Sequence, residues 1–112
     1  MIENKKTDYA ADPLILKKIA QLYAPHENFT DSLVSPLYGD VAGLPPIQLQ
    51  ASTTELLRDD SVRFYEKFKD EIEIELELCE NTPHCHQIYG FLPESKASRI
   101  KIRNFINKHC PL

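Results

Sequence analysis

The sequence predicts an α/β fold: helix, long connection, parallel strand–helix–strand, and a C-terminal helix. Three observations carry this. Ile72-Glu73-Ile74-Glu75-Leu76-Glu77-Leu78 alternates apolar and charged residues strictly, the pattern of a strand with one buried and one wet face. Ile47-Gln48-Leu49-Gln50-Ala51 alternates in the same way over a shorter run. Between them, Phe64, Tyr65 and Phe68 supply the buried side of a helix. A strand–helix–strand order implies parallel strands joined by a right-handed crossover.

In chain order, residues 1–11 are polar and read as a frayed tail, so the folded domain is expected over 12–112. Asp12-Pro13 is a helix start, because aspartate accepts from the free first-turn amides and proline fits the first turn. Ile15, Ile19, Leu22 and Tyr23 follow at helical spacing, which predicts a core-facing helix ended by Pro25. From His26 to Pro46 the chain reads as a long irregular connection, with turn chemistry at Ser35-Pro36, Gly39-Asp40 and Gly43. Connections of this length usually have a functional reason. Ser52-Thr53-Thr54-Glu55 is the loop after the first strand, Leu56-Leu57-Arg58 a helical turn, and Asp59, Asp60 and Ser61 offer caps for the helix that follows. Glu73, Glu75 and Glu77 on one strand face read as a solvated edge protection, with a cation-binding face as the less favoured alternative. Glu80 to Phe91 is a loop, and Pro93 opens the last helix. There Ala97, Ile100, Phe105 and Ile106 form the expected buried stripe, and Lys96, Arg99, Lys101, Arg103 and Lys108 a solvated basic side.

Composition narrows the function. A length of 112 residues is enough for one domain. Seventeen acidic and 13 basic residues give a net charge of −4, which argues against a nucleic-acid partner. The hydrophobic fraction of 42% and charged fraction of 27% are those of a folded globular chain. No apolar run approaches the roughly 20 residues of a membrane span, and Met1-Ile2-Glu3-Asn4-Lys5-Lys6 leads into no signal-peptide core. Three cysteines without framework spacing point to a reducing, cytoplasmic setting.

The serines are Ser32, Ser35, Ser52, Ser61, Ser95 and Ser98, and none stands in G-x-S-x-G, the turn that lifts a nucleophile above a sheet. There is no His-Gly-Gly run, no phosphate loop and no C-x-x-C, and no cofactor is implied. The reactive candidate is Thr82-Pro83-His84-Cys85-His86, which follows a strand C-terminus, where open α/β sheets carry their functional groups. His84 is the candidate general base. Cys79, His84, Cys85, His86, His109 and Cys110 match no zinc spacing, so no metal is expected. Cys85 with His86 as a nucleophile pair is weaker still, since near neighbours in sequence seldom form a nucleophile–base hydrogen bond.

Ser35-Pro36-Leu37-Tyr38, Gly43-Leu44-Pro45-Pro46, Glu55-Leu56-Leu57-Arg58-Asp59-Asp60-Ser61, Pro83-His84 and Phe91-Leu92-Pro93-Glu94, in this order and spacing, resemble the C-terminal part of an α/β-hydrolase of the hormone-sensitive-lipase-like esterase and lipase branch. The resemblance runs from about Asp12 to the end. It implies a partial α/β-hydrolase domain over 12–112 and a small carboxylic ester as substrate. It implies His84 as the catalytic histidine and an acid in the loop after the preceding strand. A spacing of 30 residues places Thr54 at the acid position (84 − 54 = 30). Thr54 carries no charge to stabilise an imidazolium, so its neighbour Glu55 is favoured as the acid.

The family's serine elbow and oxyanion motif lie upstream of the stretch matched here. The expectation is a truncated ester hydrolase carrying the histidine side of a Ser-His-acid triad and inactive alone. The alternative is a non-catalytic remnant with an interaction role or none. In the family the strand at Ile47–Ala51 has another strand on its outer side, so the chain is expected to self-associate or to take a complementary N-terminal hydrolase chain.

Overall fold

Two parallel strands, β1 (Ile47–Ser52) and β2 (Ile74–Cys79), form the centre of the computed structural model, which describes residues 6–8 and 11–111. They pair in register from Ile47 opposite Ile74 to Ser52 opposite Cys79, so both end at the same edge of the sheet. Among the described residues three α-helices complete the order: α1 (Pro13–Tyr23) before β1, α2 (Arg58–Phe68) as the crossover, and α3 (Pro93–His109) after β2. The parallel strand–helix–strand unit is thus the one the alternating runs predict.

α2 carries Phe68, 2% exposed, against the sheet, with the Phe64 ring tilted against it at a centroid distance of 4.8 Å. Its start differs from expectation. Arg58 is its first residue and Leu57 its cap, with no side-chain cap bond. Asp59 and Asp60 instead occupy the first turn, where negative charge complements the exposed N–H groups. β2 begins at Ile74 rather than Ile72, because the Ile72 amide still closes a turn onto the Phe68 carbonyl at the end of α2.

The glutamate face is not simply solvated. α3 lies on that side, and its lysines reach back. Lys101 Nζ is 2.6 Å from Glu77, and Lys108 Nζ is 2.7 Å from Glu73 and 3.3 Å from Glu75. Gln50 on β1 joins the same face, donating to Glu77 at 2.8 Å and to the Ser98 carbonyl at 3.2 Å. α3 therefore seats against a polar surface. Its expected apolar stripe is left largely outside, with Ile100 42% and Ile106 52% exposed, while its fully buried residues are Ser95 and Ser98. Small hydroxyl side chains let the helix approach closely and satisfy polar groups beneath it.

α1 is also turned out. Asp12 caps it as expected, accepting from Leu14 N at 2.8 Å. Yet it buries no residue, and Ile15, Ile19, Leu22 and Tyr23 are all more than half exposed, because nothing among the described residues covers that stripe. The 26–46 connection is irregular as read, holding one short 3₁₀ turn at Pro36–Tyr38. Of the polar tail, residues 1–5 and 9–10 lie outside the described residues. The described part is tied down rather than frayed. Asp8 accepts the Leu56 amide at 2.7 Å, and Thr7 donates to the Thr54 carbonyl at 3.2 Å.

The buried apolar residues are Ala24, Val41, Ala51, Leu56, Phe68 and Cys79. Among the described residues as many polar ones are buried: Ser52, Glu55, Thr82, His86, Ser95 and Ser98. These polar residues lie at or beyond the C-terminal ends of the two strands and on the first turns of α3. Buried polar groups require partners, and the partners they find define the site.

Candidate active site

Two loops leave the carboxyl edge of the sheet side by side, Thr53–Leu57 after β1 and Glu80–Tyr89 after β2. Because β1 and β2 are paired in register, their ends bring residues about 30 positions apart into contact. The Thr82 carbonyl accepts hydrogen bonds from Ser52 Oγ at 2.5 Å and Thr54 Oγ1 at 3.2 Å. The Asn81 amide donates to Thr53 Oγ1 at 3.2 Å. The stretch before His84 is therefore fixed on the end of β1.

Glu55 is 5% exposed. One carboxylate oxygen, Oε1, accepts the Ser52 amide at 2.7 Å. The other, Oε2, is hydrogen-bonded to His84 Nδ1. Arg58, reaching back from α2, donates to the Thr53 carbonyl at 3.3 Å and closes the loop from the other side. An ionised carboxylate only accepts. In the neutral imidazole Nδ1 therefore carries the hydrogen and Nε2 keeps its lone pair. The His84 side chain is 43% exposed while its Glu55 partner is 6% exposed. The pair thus has a buried anchor and an open working end, the arrangement in which a carboxylate sets the tautomer of a histidine base.

Of the two residues considered for the acid position, the structure brings Glu55 to His84 and sends Thr54 to the Thr82 backbone. Counting 30 residues from His84 reaches Thr54, whereas the carboxylate on the imidazole belongs to its neighbour Glu55. The Thr53-Thr54 turn swings Glu55 beneath the imidazole.

The remaining chemically reactive side chains are dispersed. Cys85 and Cys110 are exposed, and Cys79 is buried. Burial pushes the Cys79 thiol up, partly offset by its hydrogen bond with Ser98. Cys85 adopts a left-handed backbone, φ 54°, which throws its two histidine neighbours in different directions: His84 to the open side, His86 inward at 1% exposure. Glu73, Glu75 and His109 come near one another, but the Lys108 ammonium already sits on both carboxylates. Sequence reading weighed His86 only as a metal ligand or a partner of Cys85, and missed its burial and its partners on α3. The available signal was Ser95 and Ser98 three apart on one helix face.

The α/β hydrolase fold family model matches residues 2–88. An esterase of Acinetobacter venetianus is 35% identical over 77 residues, 67% of this chain and 25% of the relative. An acetyl-hydrolase of Streptomyces hygroscopicus is 33% identical over 57 residues, 51% of this chain and 19% of the relative. Among solved structures, a hormone-sensitive-lipase homologue from a metagenome library superposes with TM-score 0.91 at 28% identity, covering 96% of this chain and 38% of that one. An esterase of the bacterial hormone-sensitive lipase family superposes with TM-score 0.90 at 32% identity, covering 96% of this chain and 37% of that one. The chain thus spans between a fifth and two fifths of the length of these proteins. Two loops at one sheet edge, a buried carboxylate on a histidine, and a match over most of the chain lead to one assignment: this chain belongs to the α/β-hydrolase family, in its hormone-sensitive-lipase-like esterase branch.

Proposed function

We propose that this chain supplies the histidine and acid of a carboxylic-ester hydrolase site, with His84 as general base and Glu55 as the acid that orients it. The observation that carries this reading is the His84 Nδ1–Glu55 Oε2 hydrogen bond, anchored by the Ser52 amide on the other carboxylate oxygen. In the reaction a serine hydroxyl outside these residues attacks the ester carbonyl, and its proton passes to His84 Nε2. Glu55 stabilises the imidazolium so formed. The proton then goes to the departing alkoxide, which leaves as the alcohol. Water repeats the sequence on the acyl-serine and releases the acid.

The partner in this reading is a complementary hydrolase segment bearing the serine elbow and oxyanion donors. The apolar surface left open supports it. A groove of about 560 Å³ beside β1 is lined by Phe29, Leu37, Tyr38, Ile47, Leu49 and Phe64. Leu14, Leu22 and Tyr23 on α1 stand exposed, and open apolar surface of this extent marks an interaction face. No helix among the described residues is long and apolar enough to cross a membrane. The cysteine spacing and the exposed Cys85 and Cys110 thiols fit a reducing, cytoplasmic location.

The test is complementation. The chain is co-expressed with the serine-bearing segment of the Acinetobacter esterase, and p-nitrophenyl acetate turnover is measured. Turnover is expected only when both pieces are present, and it is lost with His84→Ala. A co-purifying folded complex without turnover, or turnover that survives His84→Ala, would overturn the proposal.

A further inference from the structure

Between the loop that carries His84 and the start of α3 lies a buried polar cluster for which the proposed reaction has no direct use. His86 is 1% exposed and Ser95 and Ser98 are fully buried. His86 Nε2 lies 3.0 Å from Ser98 Oγ, and Ser98 Oγ lies 3.2 Å from Cys79 Sγ at the end of β2. Ser95 Oγ donates to the His86 carbonyl. One residue further on, Gln87 donates to Gln50 Oε1 on β1 at 2.8 Å, and Arg99 of α3 donates to the Gln87 carbonyl at 3.1 Å.

We propose that His86 is a positioning residue for His84: its imidazole, held by Ser98, and its carbonyl, held by Ser95, fix the loop so that His84 stays on Glu55. The inference rests on the reading of Glu55 and His84 as the hydrolase pair. His84 stands between two anchors. The Thr82 carbonyl fixes the loop to β1 on one side, and His86 fixes it to α3 on the other. A single residue, Cys85, separates His84 from the second anchor, and its left-handed backbone makes the reversal that lets one histidine face out while the other is buried. A non-glycine residue in that conformation persists where its surroundings over-determine it, and the Ser95 and Ser98 bonds are what hold it. The role is not catalytic, since His86 is sealed from any substrate.

The test reads the two ring nitrogens of His84 by ¹⁵N correlation spectroscopy on the isotopically labelled full chain, at a pH where the imidazole is neutral. In the unaltered chain Nδ1 is expected to carry the hydrogen. Ser98→Ala, and separately Ser95→Ala, should leave a chain of near-native circular dichroism in which His84 shifts toward the Nε2–H form that free histidine favours. Ser95→Ala removes only the bond to the His86 carbonyl, so it reports even where Ser98→Ala fails to fold. A variant that folds and keeps His84 wholly in the Nδ1–H form overturns the positioning role and leaves the Glu55–His84 reading intact. An unaltered chain already in the Nε2–H form overturns that reading, and this inference with it.

Discussion

Replacing Glu55 by glutamine changes little in volume but reverses the meaning of its hydrogen bonds. The carboxylate accepts at both oxygens, from Ser52 N and from His84 Nδ1. In Glu55→Gln the amide oxygen stays on the Ser52 N–H, since the amide nitrogen cannot accept there. The NH₂ group then faces His84 Nδ1, two donors cannot share the contact, and the imidazole moves its hydrogen to Nε2. That nitrogen is the one the proposed reaction uses as base. When a triad acid is replaced by its amide with geometry kept, kcat falls on the order of 10⁴-fold, or about 5.4 kcal/mol at 1.36 kcal/mol per tenfold. We expect a loss of that order in the complemented enzyme, with KM little changed, since Glu55 is not placed to touch the ester. Thr54→Val serves as the control. It removes one of two donors to the Thr82 carbonyl and leaves Ser52 in place, so a loss within about tenfold is expected. Initial rates with p-nitrophenyl acetate over a range of concentrations separate kcat from KM. A Glu55→Gln enzyme within about tenfold of the original, or a Thr54→Val enzyme more damaged than Glu55→Gln, would refute the assignment.

Three further outcomes follow from the same contacts. Ser52→Ala leaves the buried Thr82 carbonyl on Thr54 alone and frees the space that orders the loop. It should cost about 1–3 kcal/mol, read as a lower thermal midpoint. Burial raises the Cys79 thiol, so its thiolate forms only at higher pH than that of an ordinary cysteine. At mildly alkaline pH a disulfide reagent should titrate Cys85 and Cys110 promptly and Cys79 only after denaturant, and three equally fast thiols would contradict its burial. The isolated chain should self-associate through β1 and the open apolar faces, with scattering mass rising with concentration and falling when the complementary segment is added. A monomer unchanged over a hundredfold dilution would count against it.

The legible parts of the fold were those governed by local periodicity. Strict alternation over Ile72–Leu78 and Ile47–Ala51 located both strands, and the helix between them dictated parallel pairing. Periodicity failed where the covering surface is polar. The Ala97–Ile106 stripe reads as buried, but the face beneath α3 carries Gln50, Glu73, Glu75 and Glu77, which serines and lysines of α3 meet. α1 failed for a different reason: its stripe is real, but nothing among the described residues covers it. At the candidate site, His84 was singled out by its place after a strand and by family likeness, and the structure sets it on Glu55. The choice between Thr54 and Glu55 depended on how one turn rotates, which residue counting cannot fix. The burial of His86 was not legible because a loop histidine gives no local sign of it, and its partners lie nine and twelve residues ahead on another element.

The most direct test of the central claim is the protonation site of His84 in the unaltered 112-residue chain. The ¹⁵N shifts of its two ring nitrogens, measured where the imidazole is neutral, report which one carries hydrogen. A carboxylate at Nδ1 requires a protonated Nδ1 and a bare Nε2. That pattern, converted to the opposite tautomer in Glu55→Gln, is the result the account predicts. A His84 ring protonated mainly at Nε2 in the unaltered chain, or a ring indifferent to Glu55→Gln, would contradict it.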